Sequence, residues 1–440
     1  MNNEENILMS VTDDHPIACW ALTGQRVFHG NDGSMMNDHI EMKPRDDLQL
    51  IGAQIFFRHG ARTPVNLLSG LEEVIYTKEH IESYAPTKWD IQLIAKMGNE
   101  VVSIDKIKPA IEHVNDRTLQ LKSTTDELVV TGQLTAIGEK QLFNLGRRLQ
   151  SELMDDGNND GLIPNTYDPK IVYCRSTYRK RTLASARSFL AGLFSSEATG
   201  NKVQSTGPFE IEVRSFPDEE LCSNSNMFPI LEKRHSVQSL YASLHDEHDL
   251  KMARQKFLDY INASDSKLGI LQLHDDITSR QAHGFFVPED LLLMSNCFHT
   301  MAAREYVLMN TNIGFDVFVR SRFGTVLSLI KQNFESILKN YIADKEKDQI
   351  TSYHKLFIYS CHDTTLIPMA MALGIFDMQW PSYAAHILLK YYVSKTEATE
   401  TYITVDYSGL RQILFNCKDY FCPYSIFLKN LENQIEQPQL

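Results

Sequence analysis

No run in the 440-residue chain approaches the ~18 uninterrupted apolar residues that a membrane-crossing helix needs, so stable insertion into a bilayer is not expected. Positive charge is also short: 43 Lys and Arg against 56 Asp and Glu give a formal net charge of −13. That balance argues against nonspecific binding to nucleic acid or anionic lipid, both of which want a basic face. Any anionic ligand must therefore meet a local cationic pocket inside an acidic molecule. Cysteine is scarce, with seven residues, too few for a disulfide-rich scaffold and odd in number, so at least one is unpaired. No CxxC pair, no HExxH and no carboxylate cluster at metal-ligand spacing is present, and neither a metal nor another cofactor is expected. Met1-Asn2-Asn3-Glu4-Glu5 has no cationic start and no apolar run behind it. Neither a secretory signal nor a transit peptide is readable; as written the chain reads as cytoplasmic, and its localisation stays open.

What is there is ordinary for a globular protein: 43% apolar and 22% charged residues. The length exceeds what one hydrophobic core spans, so two domains, or one with a large insertion, are expected. Residues 1–46 lack periodicity and read as an N-terminal extension. Strands are expected over Leu48–Phe57, Lys170–Cys174 and Lys355–Cys361, with two more near His386–Val393 and Tyr402–Tyr407. Leu134, Ile137, Leu142, Leu145 and Leu149 fall at helical spacing, and helices are expected from Leu183 to Phe194 and from about Val326 to Tyr341. Asp155 to Asp160, with Gly157, reads as an acidic turn. From residue 203 to 301 the strand signal is weak and charged helical stretches dominate. That segment reads as a helical cap inserted into a core formed by 47–202 and 302–440. Strands alternating with helices predict an α/β fold, a mixed, mostly parallel sheet with helices on both faces.

In such sheets ligands bind at the carboxyl ends of the strands. Three expected strands each deliver a polar cluster there: Arg58-His59 with Arg62, then Arg175, then His362-Asp363. If those strands are neighbours, three arginines, two histidines and an aspartate share one crevice. Arginine keeps its proton at any working pH, and its planar fork matches phosphate oxygens. A neutral imidazole among cations is a competent nucleophile toward phosphorus. An aspartate can protonate the departing alcohol and then activate water. Its ordinary pKa is about 3.9, so this chemistry predicts an acidic rate optimum. The ordinary reading of any one cluster is structural, a salt bridge or a satisfied histidine; the three matching contexts favour a phosphate-handling site. Cys417 and Cys422, the latter before Pro423, are the most suggestive cysteine pair, and spacing leaves their pairing open.

These motifs resemble the histidine acid phosphatases, the two-domain branch of the histidine phosphatase superfamily. The signature RHGxRxP stands intact as Arg58-His59-Gly60-Ala61-Arg62-Thr63-Pro64. Arg175-Ser176-Thr177 with Arg181-Thr182-Leu183 resembles the downstream arginine motif, and Ser360-Cys361-His362-Asp363-Thr364-Thr365-Leu366 the late His-Asp motif. The resemblance runs from about residue 48 to about 430 and includes Gly132-Gln133-Leu134-Thr135 with Gly138. It implies a phosphoglycerate mutase-like core under a smaller helical domain, and a disulfide between Cys417 and Cys422. It implies His59 as the phosphorylated nucleophile, Asp363 as proton donor, and Arg58, Arg62, Arg175 and His362 as phosphate ligands, with no metal. Val172–Thr177, Phe189–Phe194, Gln281–His283 and Leu373 through Trp380-Pro381 are most similar to the family's lysophosphatidic acid phosphatase group, which implies a lysophospholipid substrate and a mitochondrial address.

Two other readings compete: a catalytically silent phosphoryl-ligand binder, and a phosphatase or phytase acting on a soluble ester. Retention of both His59 and Asp363 disfavours the first. Tyr178-Arg179-Lys180 reads as a solvated basic turn, with altered charge at the pocket rim as the sharper alternative. Asn262-Ala263-Ser264 is an incidental glycosylation sequon. Phe285, Phe286, Leu291 to Leu293 and Phe298 are expected in the core of the cap. Oligomeric state has no readable signal.

Overall fold

The computed structural model describes residues 45–68, 70–107, 119–124, 128–154, 161–196, 200, 202–222, 224–244, 247–263, 267–347 and 352–435. Most of the N-terminal extension, the acidic turn at 155–160 and Ser264 of the sequon lie outside the described residues.

A ten-stranded mixed sheet forms the spine. In chain order its strands are β1 (Leu48–Arg58), β2 (Ile91–Met97), β3 (Glu100–Val101), β4 (Val172–Ser176), β5 (Phe209–Arg214), β6 (Leu356–Cys361), β7 (His386–Ser394), β8 (Thr401–Tyr407), β9 (Leu410–Gln412) and β10 (Cys422–Pro423). The spatial order is β9-β8-β7-β1-β6-β4-β5-β2-β3, with β10 on β8. The run β1-β6-β4-β5-β2 is parallel, and antiparallel pairs close both edges. β1 is buried on both faces, as its near-continuous apolar sequence requires for a central strand. Its one polar interior residue, Gln54, donates from Nε2 to the Ile330 carbonyl at 2.9 Å and accepts from Asn333 at 2.8 Å. Cys417 and Cys422 are disulfide-bonded with Cα atoms 5.2 Å apart, tying the last strand down.

Helices cover both faces. On one, α1 (Ala136–Leu153) and α2 (Lys180–Leu193) bury Leu142, Leu145, Leu149, Phe189 and Leu190 against Ala53, Ile55 and Phe57. On the other, the core of Phe56, Tyr359 and Tyr391 meets α7 (Phe315–Lys347), α8 (Asp363–Ala372) and α9 (Tyr424–Ile435). A separate cluster holds α3 (Val237–Ser243), α4 (His248–Tyr260), α5 (Ile270–His283) and α6 (Glu289–Thr311) together as the cap. The buried Glu305 of α6 accepts from the first backbone N–H groups of α5, Ile270 at 2.8 Å and Leu271 at 3.1 Å, and fixes where that helix starts. Among the described residues no helix is long and apolar enough to cross a membrane.

Three sequence expectations need correction. Phe209–Arg214, read as part of the cap, is strand β5 and pairs with both β4 and β2 in the main sheet. Six residues alternating Phe-Glu-Ile-Glu-Val-Arg look half-exposed in sequence. The side chain of Glu212 is instead buried between two cations, Lys96 and Arg214. The return to the core was placed at 302, inside what is one continuous helix, α6. Within the cap, Leu291 and Phe298 are core as expected, but Phe286 is 76% and Leu292 47% exposed.

Candidate active site

The parallel register of β1 on β6 sets Arg58 opposite Cys361, and β4 on β6 sets Ser176 opposite Ser360. The three motifs therefore emerge at one level from three neighbouring strands. The His59 N–H donates to the Cys361 carbonyl at 3.1 Å, and the Thr177 N–H to Ser360 at 3.2 Å, carrying the alignment one residue past the strand ends. Gly60 is required here by close approach. A Cβ on it would stand 2.2 Å from the Gly138 carbonyl oxygen, and one on Gly138 2.2 Å from that of Ala61. The signature loop thus lies directly on the first turn of α1.

His59 is buried, and its Nδ1 stands 2.9 Å from the Gly60 carbonyl. A carbonyl only accepts, so Nδ1 carries the proton and Nε2 is left with its lone pair. Burial, then the charges of Arg181, Arg62 and Arg58, hold its pKa well below the ordinary 6.5. The His362 ring lies 5.7 Å from that of His59. Its Nε2 is 3.0 Å from Thr177 Oγ1, which is 2.7 Å from Thr182 Oγ1. Since the Thr182 hydroxyl donates to the Arg179 carbonyl at 2.8 Å, it accepts from Thr177, and Thr177 in turn accepts from His362.

Asp363 opens α8. Its Oδ2 pairs with Arg58 Nη2 at 2.8 Å and accepts from the Trp380 indole at 3.2 Å, while Oδ1 accepts from the Thr364 N–H at 2.8 Å. Burial pushes its pKa up, but Arg58, Arg62 and His362 outweigh that and hold it at about 2. Arg58 also lies 4.4 Å over the Tyr383 ring. Arg62 reaches into the cap, where Asp275 of α5 takes its Nη2 at 2.7 Å.

Arg175, expected among these groups, is elsewhere. It is fully buried, with Nη2 on Glu219 at 2.8 Å and Nη1 on Glu220 at 2.6 Å. The cause is strand alternation: Arg175 still belongs to β4, so its side chain leaves the sheet on the Tyr173 side instead of past the strand end. The third guanidinium beside His59 is that of Arg181, in the first turn of α2. Its Nε is buried without a hydrogen-bond partner. Burial, then Arg62 and Arg179, press its pKa below the ordinary value. Among the described residues no carboxylate forms an ion pair with this guanidinium; Asp363 and Asp275 act only at longer range. It is therefore suited to an anion from outside the chain, and α2 and α8 begin just past neighbouring strand ends. Its sequence signal was available: Arg181 begins the second half of the quoted arginine motif. Trp380 lay in a stretch that carries the resemblance but with no role attached, and Asp275 and Tyr383 had no signal, because they come from the cap and from a loop far along the chain. Of the basic turn, Tyr178 is core, edge-on to Phe216 at 5.7 Å, and the charge of Arg179 reaches His362.

The buried histidines make acid costly for the fold. His59, His274 and His362 are held well below 6.5, His283 and His299 are lowered, and His386 sits at about 4, burial being the largest cause in each. Between those values and 6.5 the unfolded chain binds protons that the folded chain refuses, so stability falls as pH drops through that window. Glu219, Asp276 and Glu305, whose pKa values are raised by burial, act in the opposite sense but are fewer. Tm is expected to be lower at pH 5 than at pH 7, with inorganic phosphate restoring part of the loss; calorimetry at the two pH values checks it.

The family model of the histidine phosphatase superfamily (branch 2) matches residues 49–408. Human lysophosphatidic acid phosphatase type 6 is 28% identical over 399 residues, covering 90% of this chain and 86% of the relative. Human prostatic acid phosphatase is 27% identical over 277 residues, covering 60% of this chain and 67% of the relative. Among solved structures, the apo phytase of Hafnia alvei superposes with a TM-score of 0.51 at 14% identity, over 90% of this chain and 98% of that one. The Citrobacter braakii phytase gives 0.52 at 13%, over 89% and 98%, a likeness of fold. With the matched family model running from β1 through β8 and over the crevice, the chain belongs to the histidine phosphatase superfamily (branch 2) and is a phosphoric monoester hydrolase.

Proposed function

We propose that the protein hydrolyses lysophosphatidic acid to monoacylglycerol and phosphate through a phosphohistidine at His59. The observation that carries the reaction is a neutral imidazole with a bare Nε2 among Arg58, Arg62 and Arg181, the last without an ion pair among the described residues. The phosphoryl group binds between these arginines, which neutralise its charge and the charge that spreads over its oxygens during transfer. His362 moves its Nε2–H from Thr177 to a phosphoryl oxygen. His59 Nε2 attacks phosphorus as the bond to the glycerol oxygen breaks, and Asp363 protonates that oxygen. The resulting carboxylate takes a proton from the water that splits the phosphohistidine, returning free His59 and phosphate.

Asp363 at about 2 is ionised in the empty site, which would not serve an acid. A seated phosphate dianion reverses this: its charge disfavours the carboxylate and it competes for Arg58. The acid form thus appears only with substrate bound. The lysophospholipid reading draws on the relative whose similarity runs across nine-tenths of this chain.

The test is phosphate release from lysophosphatidic acid, p-nitrophenyl phosphate and inositol hexakisphosphate across pH 4 to 8, with chelator present. The expected result is chelator-resistant activity that favours lysophosphatidic acid. A preference for inositol hexakisphosphate would overturn the lipid assignment, and loss of activity with chelator would overturn the metal-free mechanism.

A further inference from the structure

A second cavity, of about 290 Å³, lies beside the catalytic crevice, walled by Pro64, Leu67, Leu71, Val74, Tyr76 and Leu121. Pro64 is the last residue of the signature loop. Asp275, which clamps Arg62, also accepts from the Val65 N–H at 2.7 Å, so the loop that turns out of the crevice is fastened to α5. Ser279 on the same helix donates to the Arg62 carbonyl at 3.0 Å and stands 3.5 Å from the Tyr76 hydroxyl. The cavity and the phosphate site therefore share a wall, made of residues 62–65 and α5.

The charged residues in that wall are already engaged. Arg280 pairs through Nε with Asp276 at 2.6 Å and donates from Nη2 to the Glu72 carbonyl at 2.7 Å. Glu73 accepts from the Lys122 N–H at 3.0 Å and pairs with its Nζ at 3.3 Å. A ring carrying hydroxyls or further phosphates would have to compete with those pairs, at the cost of desolvating its own polar groups. Hydrocarbon meets no such cost. Leu67, at the mouth, is 37% exposed, and Val65, next to the wall residue Pro64, is 42% exposed, so the neighbouring surface is apolar as well.

We infer that this cavity holds the acyl chain of the substrate, while the phosphate lies among Arg58, Arg62 and Arg181. The inference rests on the lysophospholipid reading and adds where the chain goes: between the 64–76 loop and α5 of the cap, not along the cap's exposed Phe286 and Leu292. Leu71 is half-buried in the wall and Leu67 lies at the mouth, so a bulkier side chain at either position shortens the space without touching the phosphate ligands.

The experiment measures kcat/KM for n-alkyl phosphates from C2 to C12, kept below their micellar concentrations, in wild-type protein, Leu71→Trp and Leu67→Trp. Each buried methylene should raise kcat/KM about fourfold until the cavity is filled. In both variants the rise should end at shorter chains, with ethyl phosphate hydrolysed at the wild-type rate. If the rise is unchanged in variants that handle ethyl phosphate normally, the chain lies elsewhere and the cavity assignment is wrong while the lipid reading stands. If wild-type protein shows no rise at all, the lipid reading falls and the cavity assignment with it.

Discussion

Replacing His59 with Ala is expected to lower phosphate release by on the order of 10⁴ or more, the scale seen when a covalent nucleophile is removed. With substrate labelled in the phosphoryl group, the wild-type protein should leave an alkali-stable, acid-labile phosphoprotein on a rapid quench, and the variant none. The reasoning is geometric. Only Nε2 of His59 is bare, because the Gly60 carbonyl takes the proton side of the ring, and burial with three flanking arginines keeps that nitrogen unprotonated in mild acid. Retention of labelled protein in the variant would move the nucleophile to another residue. Unchanged phosphate release would remove covalent catalysis by His59 altogether.

Arg181→Ala and Arg175→Ala should fail in different ways. Without Arg181 the site loses an arginine that no carboxylate pairs with among the described residues, and kcat/KM is expected to drop by ~10²–10³ with little change in Tm. Arg181 is also the foremost charge depressing His59 after burial, so its removal lets the His59 pKa rise toward 6.5. The acid limb of the kcat/KM profile should move to higher pH accordingly. Arg175→Ala leaves Glu219 buried without its cation and Glu220 with Arg214 alone, and Glu219 Oε2 already has no partner. Breaking a buried pair from one side costs about 3–5 kcal/mol. The expected result is a sharply lower Tm with kcat/KM near wild type in the folded fraction. The reverse pattern, activity lost in Arg175→Ala and stability lost in Arg181→Ala, would return Arg175 to the phosphate.

That contrast shows where the sequence stops being readable. Arg175 and Arg181 both belong to the same quoted motif, and both are arginines shortly after an apolar strand. What separates them is whether the residue is inside the strand or past it, a boundary of one or two positions. Val172–Ser176 holds Arg175 perpendicular to the sheet, toward two glutamates 44 and 45 residues further on. The turn at Thr177–Arg179 then carries Arg181 over the strand end. β5 was hidden for a related reason. The side chain of Glu212 is satisfied by neighbours such as Lys96 that adjoin it only in the folded sheet.

By itself the sequence determined the place of the proposed chemistry: His59, His362 and Asp363 at the ends of apolar strands of an α/β core, with a mainly helical segment further along the chain. Strand ends are legible because burial on both faces writes a continuous apolar run that stops where the chain meets the crevice. Tertiary structure alone decided which arginine stands beside His59, and that Asp275 of the cap pairs with Arg62. It also decided that Trp380 and Arg58 hold Asp363, and that an apolar cavity opens beside them. Each of these depends on contacts between segments tens to hundreds of residues apart, and no local period or spacing encodes such contacts.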